Sequence, residues 1–242
     1  MMDTRFLMEA AGSAGISLTQ EQAGRFSLYA SLLVEWNEKI NLTAITDPRG
    51  IAVRHFVDSL TLLPYLPSGA CSLIDIGTGA GFPGVPLAIL RPDVELTLLD
   101  SLNKRLQFLK ELCQALGIPA TLVHARAEQG GRLPALREQF DVATAHAVAA
   151  LPVLCEYCLP YVKVGGRFLA MKGPDVEAEL AAAAPALRQL GGELREAVPL
   201  ALPPESPGDP PAGRRLLWMD KIRHTPPSFP RPSAKIAKQP IK

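Results

Sequence analysis

Ile74-Asp75-Ile76-Gly77-Thr78-Gly79-Ala80-Gly81-Phe82-Pro83-Gly84 follows an apolar run, Cys71 to Ile76, that reads as a buried parallel strand. It leads into a helix whose first turn tolerates Pro83 and Pro86. Glycines at such a turn allow positive φ and let a ligand approach bare backbone, while the helix N-terminus offers unpaired N–H groups and partial positive charge. The arrangement is that of a nucleotide-type cofactor site. Gly79, Gly81 and Gly84 also satisfy the dinucleotide fingerprint, with Asp100 placed 21 residues beyond Gly79 where a ribose-binding acid is expected. Asp75 separates the two ligands: its carboxylate beside the glycines repels a pyrophosphate and attracts a cationic sulfonium such as S-adenosylmethionine.

The next unit repeats the logic. Val94 to Leu99 reads as a strand ending in Asp100, well placed to accept both ribose hydroxyls of an adenosine. After it comes a helix with Leu102, Leu106, Leu109, Cys113 and Leu116 on one stripe, closed by Gly117. A third strand, Ala120 to Val123, runs into Arg126-Ala127-Glu128, and a fourth, Phe140 to Thr144, into Ala145-His146. The fifth, Arg167 to Met171, follows the turn Gly165-Gly166 and ends in Lys172-Gly173. Strand and helix alternate from about residue 70 to 173, which predicts a doubly wound α/β fold with a mostly parallel sheet. Glu193 to Leu200 and Arg214 to Lys221 are expected to add an antiparallel end, separated by the Pro-rich segment 203–211.

Before the sheet, Thr19 and Gln22 predict a capping box, and Phe26, Tyr29, Leu33, Trp36 and Ile40 form a helical stripe. His55 and Asp58 then fall on one helical face after an Asp47-Pro48 start, a spacing suited to a structural His–Asp hydrogen bond. The expected organisation is an N-terminal helical extension (1–65), a cofactor-binding region (66–224) and a C-terminal arm (225–242).

Composition bounds the function. The chain has 242 residues, 48% hydrophobic, and no apolar run near the roughly 18 residues of a membrane span. Its N-terminus lacks the pattern of an export signal, so a cytoplasmic protein without a membrane partner is expected. Cys71, Cys113, Cys155 and Cys158 do not make a disulfide scaffold; Cys155-x-x-Cys158 lacks the second pair a zinc site needs, so no metal is expected. Net charge is only +1, but residues 214–242 hold eight Lys/Arg against Asp220 alone. The Pro/Lys-rich end, 226–242, is expected to lie as an extended arm along phosphates, with Arg231, Lys235 and Lys238 as contacts.

Several motifs in order, Asn41-Leu42-Thr43-Ala44-Ile45, Arg54-His55-x-x-Asp58-Ser59-Leu60, the glycine turn, Leu98-Leu99-Asp100-Ser101-Leu102-x-Lys104-Arg105, Arg126-Ala127-Glu128 and Met171-Lys172-Gly173, resemble the ribosomal small subunit methyltransferase G family, also called glucose-inhibited division protein B. The resemblance spans roughly residues 25 to 240. It implies S-adenosylmethionine-dependent methylation of N7 on one guanine of 16S ribosomal RNA, by a protein expected to be a monomer. It further implies cofactor contacts at Gly77, Phe82, Asp100, Ser101, Ala127 and Glu128; Asp75, Gly79 and Gly81 of the glycine turn, with Leu102 and His146, complete the expected cofactor positions, catalytic positions are expected at His146 and Lys172, and RNA contacts at Arg54 and His55. One stretch departs: Ala145-His146-Ala147-Val148-Ala149 stands where the family usually has Ser-Arg-Ala-Val-Ala, so a permanent cation is replaced by a histidine. Two alternatives stay open, a nicotinamide-dependent oxidoreductase and a catalytically silent RNA-binding protein on the same fold.

Overall fold

The structure is a computed structural model that describes residues 2–146, 149–206 and 208–242. Met1, Pro207 and, within the departing stretch, Ala147 and Val148 lie outside the described residues. Seven strands form one sheet in the order β3-β2-β1-β4-β5-β7-β6. These are β1 (Cys71–Ile76), β2 (Val94–Asp100), β3 (Ala120–His124), β4 (Phe140–His146), β5 (Val162–Lys172), β6 (Gly192–Leu202) and β7 (Ala212–Lys221). The first five run parallel, whereas β7 is antiparallel to both β5 and β6. Strand order therefore reverses between β1 and β4, and in such sheets ligands bind where the carboxyl ends open at that reversal.

The N-terminal helices α1 (Thr4–Ser13) and α2 (Gln20–Asn37) lead to α3 (Pro48–Gly50), a π-helical segment Ile51–Val57 and α4 (Asp58–Leu60). The capping box of Thr19 with Gln22 begins α2, and Asp47 caps α3 by accepting from the Gly50 N–H at 2.6 Å. Phe26, Tyr29 and Leu33 are fully buried, and they share a continuous apolar core with Leu73, Leu96 and Leu98 of the sheet. The Tyr29 hydroxyl donates to the Ala80 carbonyl at 2.6 Å, so α2 anchors the glycine turn directly.

The crossovers are α5 (Gly84–Leu90), α6 (Asn103–Leu116), α7 (Ala127–Gly130) and α8 (Leu151–Cys158), followed by α9 (Glu177–Leu190) before β6. Gly117 ends α6 in the left-handed conformation, as its position after the apolar stripe implies. The stripe itself is one residue shorter than expected. Leu102 precedes the helix in extended backbone and is 52% exposed. Gly165-Gly166 also differs from expectation: it lies inside β5, where the strand begins at Val162 and its pairing with β4 shifts register. All four cysteines are buried thiols, and burial pushes Cys155 up to about 12.

The C-terminal arm departs most. Instead of lying extended, it forms α10 (Ser233–Lys238), with Ile236 and Ile241 buried against the body. Proline stops at Pro232 and leaves room for a short helix before Pro240, so the Pro-rich composition did not forbid one.

Candidate methyl-donor site

At the carboxyl edge of β1, β2 and β3 lies a cleft of about 240 Å³. Its walls include Ile76 and Gly77, Leu99 to Ser101, Arg105, Ala125 to Glu128, Tyr157 and Ser233. Of the cofactor positions expected from sequence, Gly77, Asp100, Ser101, Ala127 and Glu128 come together here. Gly77 has φ +69°, a backbone that leaves its amide edge uncovered by a side chain. Asp100 is 1% exposed; its carboxylate accepts from the Gly79 N–H at 3.0 Å and the Leu102 N–H at 2.8 Å, with the Arg105 guanidinium at 3.4 Å. A carboxylate has about four acceptor sites, so capacity remains toward the cleft for a vicinal diol. The Tyr161 hydroxyl donates to the Ala127 carbonyl at 2.7 Å and fixes the cleft's third side. A buried carboxylate at the ribose position, uncovered glycine backbone and an adjoining aromatic residue suit an adenosine-containing ligand.

Other expected positions lie elsewhere. Asp75 is fully buried and does not line the cleft; its Oδ2 accepts from the Thr78 hydroxyl at 2.7 Å and the Gly84 N–H at 3.0 Å. It clamps the turn, and this corrects the expectation of a carboxylate presented to the ligand. Burial pushes the Asp75 carboxyl up to about 7 from 3.8, although the two hydrogen bonds pull the other way. A folded pKa above the unfolded one means stability that is full below about pH 4 and lost as pH rises through about 7. Asp75→Asn is therefore expected to gain on the parent as pH rises across that window, read as the difference between urea midpoints. Its affinities for S-adenosylmethionine and S-adenosylhomocysteine should shift by the same factor. A loss confined to the sulfonium compound would restore the charge-selection role.

Gly81 and Phe82 pack inward as well. Phe82 stacks on His55 with centroids 4.4 Å apart and on Tyr29 at 5.3 Å. Gly81 has φ +99°, and a Cβ there would meet the Tyr29 hydroxyl at 2.7 Å, so a side chain would be both strained and crowded. Leu102 lines a neighbouring hollow with Asn41 and Lys104.

The expected RNA contacts and catalytic positions also redistribute. His55 is buried, pairs through Nε2 with the Thr43 hydroxyl at 2.8 Å, and is pushed down to about 4 by burial, so near neutrality it carries no charge for a phosphate. Arg54 pairs with Glu205 at 2.7 Å and Asp47 at 3.3 Å. The Asp58 carboxylate does not bond the His55 ring; its Oδ2 lies 3.2 Å from Arg214 Nε and 3.5 Å from His146 Nε2. Arg214 thus brings a permanent cation beside His146. Lys172 is buried, donating to the Ala149 carbonyl at 2.7 Å and pairing with Glu179 at 2.7 Å, which suits a structural strut better than a proton carrier. Arg231 is corrected too: it forms a forked ion pair with Glu156, Nη2 to Oε2 at 2.6 Å and Nε to Oε1 at 2.9 Å. Lys235 and Lys238 remain exposed. Tyr157 and Ser233 were missed because no local pattern marks them; they meet the cleft only through tertiary packing.

Among the described residues, no three His, Cys, Asp or Glu gather as a metal site, and no helix is long and apolar enough to cross a membrane. Solved structures with the same fold include a putative methyltransferase from Bacillus halodurans (TM-score 0.52, 16% identity, covering 69% of this chain and 99% of that one). Another is a 16S rRNA (adenine(1408)-N(1))-methyltransferase mutant from Catenulisporales acidiphilia (TM-score 0.51, 16% identity, 66% and 88% covered). Sequence relatives are nearer. A ribosomal RNA small subunit methyltransferase G of Clostridium perfringens is 44% identical over 238 residues, covering 98% of both chains. One from Desulforamulus reducens is 45% identical over 238 residues, covering 97% of both. The family model for rRNA small subunit methyltransferase G matches residues 22–201. With the glycine turn, the ribose-position carboxylate and near full-length identity in agreement, this chain belongs to the rRNA small subunit methyltransferase G family.

Proposed function

We propose that the chain transfers the methyl group of S-adenosylmethionine to N7 of one guanine in 16S ribosomal RNA. The observation that carries this is the cleft in which Asp100, Gly77 and Glu128 converge, in a chain of this family. When bound, the donor supplies an electrophilic methyl carried by a sulfonium. The chain's own part is to bind and orient: Asp100 accepts the ribose hydroxyls, Gly77 lets the ligand lie against bare backbone, and Ala127 with Glu128 bounds the base. Guanine N7 holds a free lone pair and loses no proton in the attack, so catalysis rests on in-line placement and exclusion of water. The engaged state of Lys172 fits that chemistry, because no strong general base is required. Arg214 and His146, held by Asp58 at the end of β4, offer donors suited to the O6/N7 edge. That edge is accessible in unpaired RNA and hidden in an A-form helix, so the target is a loop.

The test is a map of N7-methylguanine in 16S RNA, read by reduction and strand scission, from cells with and without the chain. One guanine cleaved only when the chain is present is the expected result. An unchanged map would leave the silent RNA-binding reading. The nicotinamide alternative is not favoured, given the family and the cleft.

A further inference from the structure

The C-terminal segment crosses back to the donor cleft and is fastened at several points. Arg137 donates to the carbonyls of Thr225 at 2.7 Å and Phe229 at 2.8 Å, and Arg132 to that of Pro230 at 2.8 Å. Arg231 then forks onto Glu156, whose side chain is 1% exposed, while its own backbone N–H donates to the same carboxylate at 2.7 Å. Two residues later Ser233 opens α10 at the cleft, and Ile236 and Ile241 bury the rest. Glu156 and Tyr157 are neighbours on α8, which packs on α7 and α10. The ion pair therefore sets Tyr157 and Ser233 together at the end of the cleft bounded by Ala127 and Glu128.

We propose that this segment is part of the donor site: Ser233, held by the Arg231–Glu156 pair, joins Tyr157 as the wall that receives the adenosine half of the methyl donor. The inference rests on the methyltransferase reading above. Asp100 fixes the ribose, so the base projects toward the ends of β2 and β3, where Tyr157 and Ser233 stand. An aromatic face and a hydroxyl that both donates and accepts match a purine ring and its amidine edge. A ligand that binds only when the wall is in place also holds the segment down, so donor occupancy and docking are linked.

Calorimetric titrations of the full chain, of Ser233→Ala and of a chain ending at Arg231 test this, with S-adenosylhomocysteine and 5′-deoxy-5′-methylthioadenosine as probes. Ser233→Ala should weaken both probes about 3- to 10-fold, the loss of one hydrogen bond. Truncation should weaken both about 10-fold or more, because wall and hydroxyl go together. Equal loss on the probe without the amino-acid end assigns the contact to adenosine. S-Adenosylhomocysteine should also slow tryptic cutting after Lys235 and Lys238 in the parent. Thermal melts check that the truncated chain is folded, and Ser233→Ala serves if it is not. Affinities within twofold of the parent would overturn the inference. Failure of the parent to bind S-adenosylhomocysteine would instead overturn the methyltransferase reading.

Discussion

Asp100→Asn is expected to raise the dissociation constant for S-adenosylhomocysteine about 10- to 100-fold, since hydrogen bonds to a charged group contribute about 1.5–3 kcal/mol. The carboxylate receives Gly79 N–H on one oxygen and Leu102 N–H on the other. An amide keeps one acceptor and turns a donor toward whichever N–H faces its nitrogen. Either the glycine turn or the start of α6 loses its acceptor, and a ribose hydroxyl loses one too. Neither consequence depends on the size of the side chain, which is unchanged. Isothermal titration reads the effect, and a change below threefold would remove Asp100 from the donor site.

Glu156→Ala should release the C-terminal segment. Removing one partner of a buried ion pair costs about 3–5 kcal/mol, because the other charge is left uncompensated. Burying Ile236 and Ile241 contributes about 1.5–3 kcal/mol each, and ordering the segment offsets part of that. Undocking rehydrates Arg231, so it is the cheaper response, and the sheet core need not open. The expected signature is rapid tryptic cleavage after Lys235 and Lys238 with little change in the urea midpoint of the remaining body. Full protection of these sites in the variant would show that the ion pair does not hold the segment.

The parts of the fold that were legible in the sequence are those fixed by local pattern. Cys71 to Ile76 forms β1 with the expected bounds, because an apolar run meeting glycines has few other solutions. Asp100 and Gly77 reach the cleft because strand ends place them there regardless of distant packing. The capping box at Thr19 is equally local. What failed was long-range. Leu102 has helical spacing, yet the chain reaches α6 only at Asn103, and an apolar residue beside the cleft is left exposed. Asp58 was read against His55 on its own helix, but Arg214 and His146 arrive from β7 and β4 and take its oxygen. The basic composition of the tail suggested phosphates; Glu156, a buried acid on a remote helix, takes Arg231 instead. Lys221 shows the same limit: counted among the tail's cations, it is buried between the Leu159 and Val162 carbonyls and Glu138, where burial pushes it down to about 8.

A crystal structure of the full chain with S-adenosylhomocysteine tests the assignment of the donor cleft most directly. The adenosine is expected against Ala127 and Glu128, with both ribose hydroxyls within hydrogen-bond distance of the Asp100 carboxylate and the amino-acid end over Gly77. Ligand density outside this cleft, or a ribose that leaves Asp100 bonded only to Gly79 and Leu102, would contradict it.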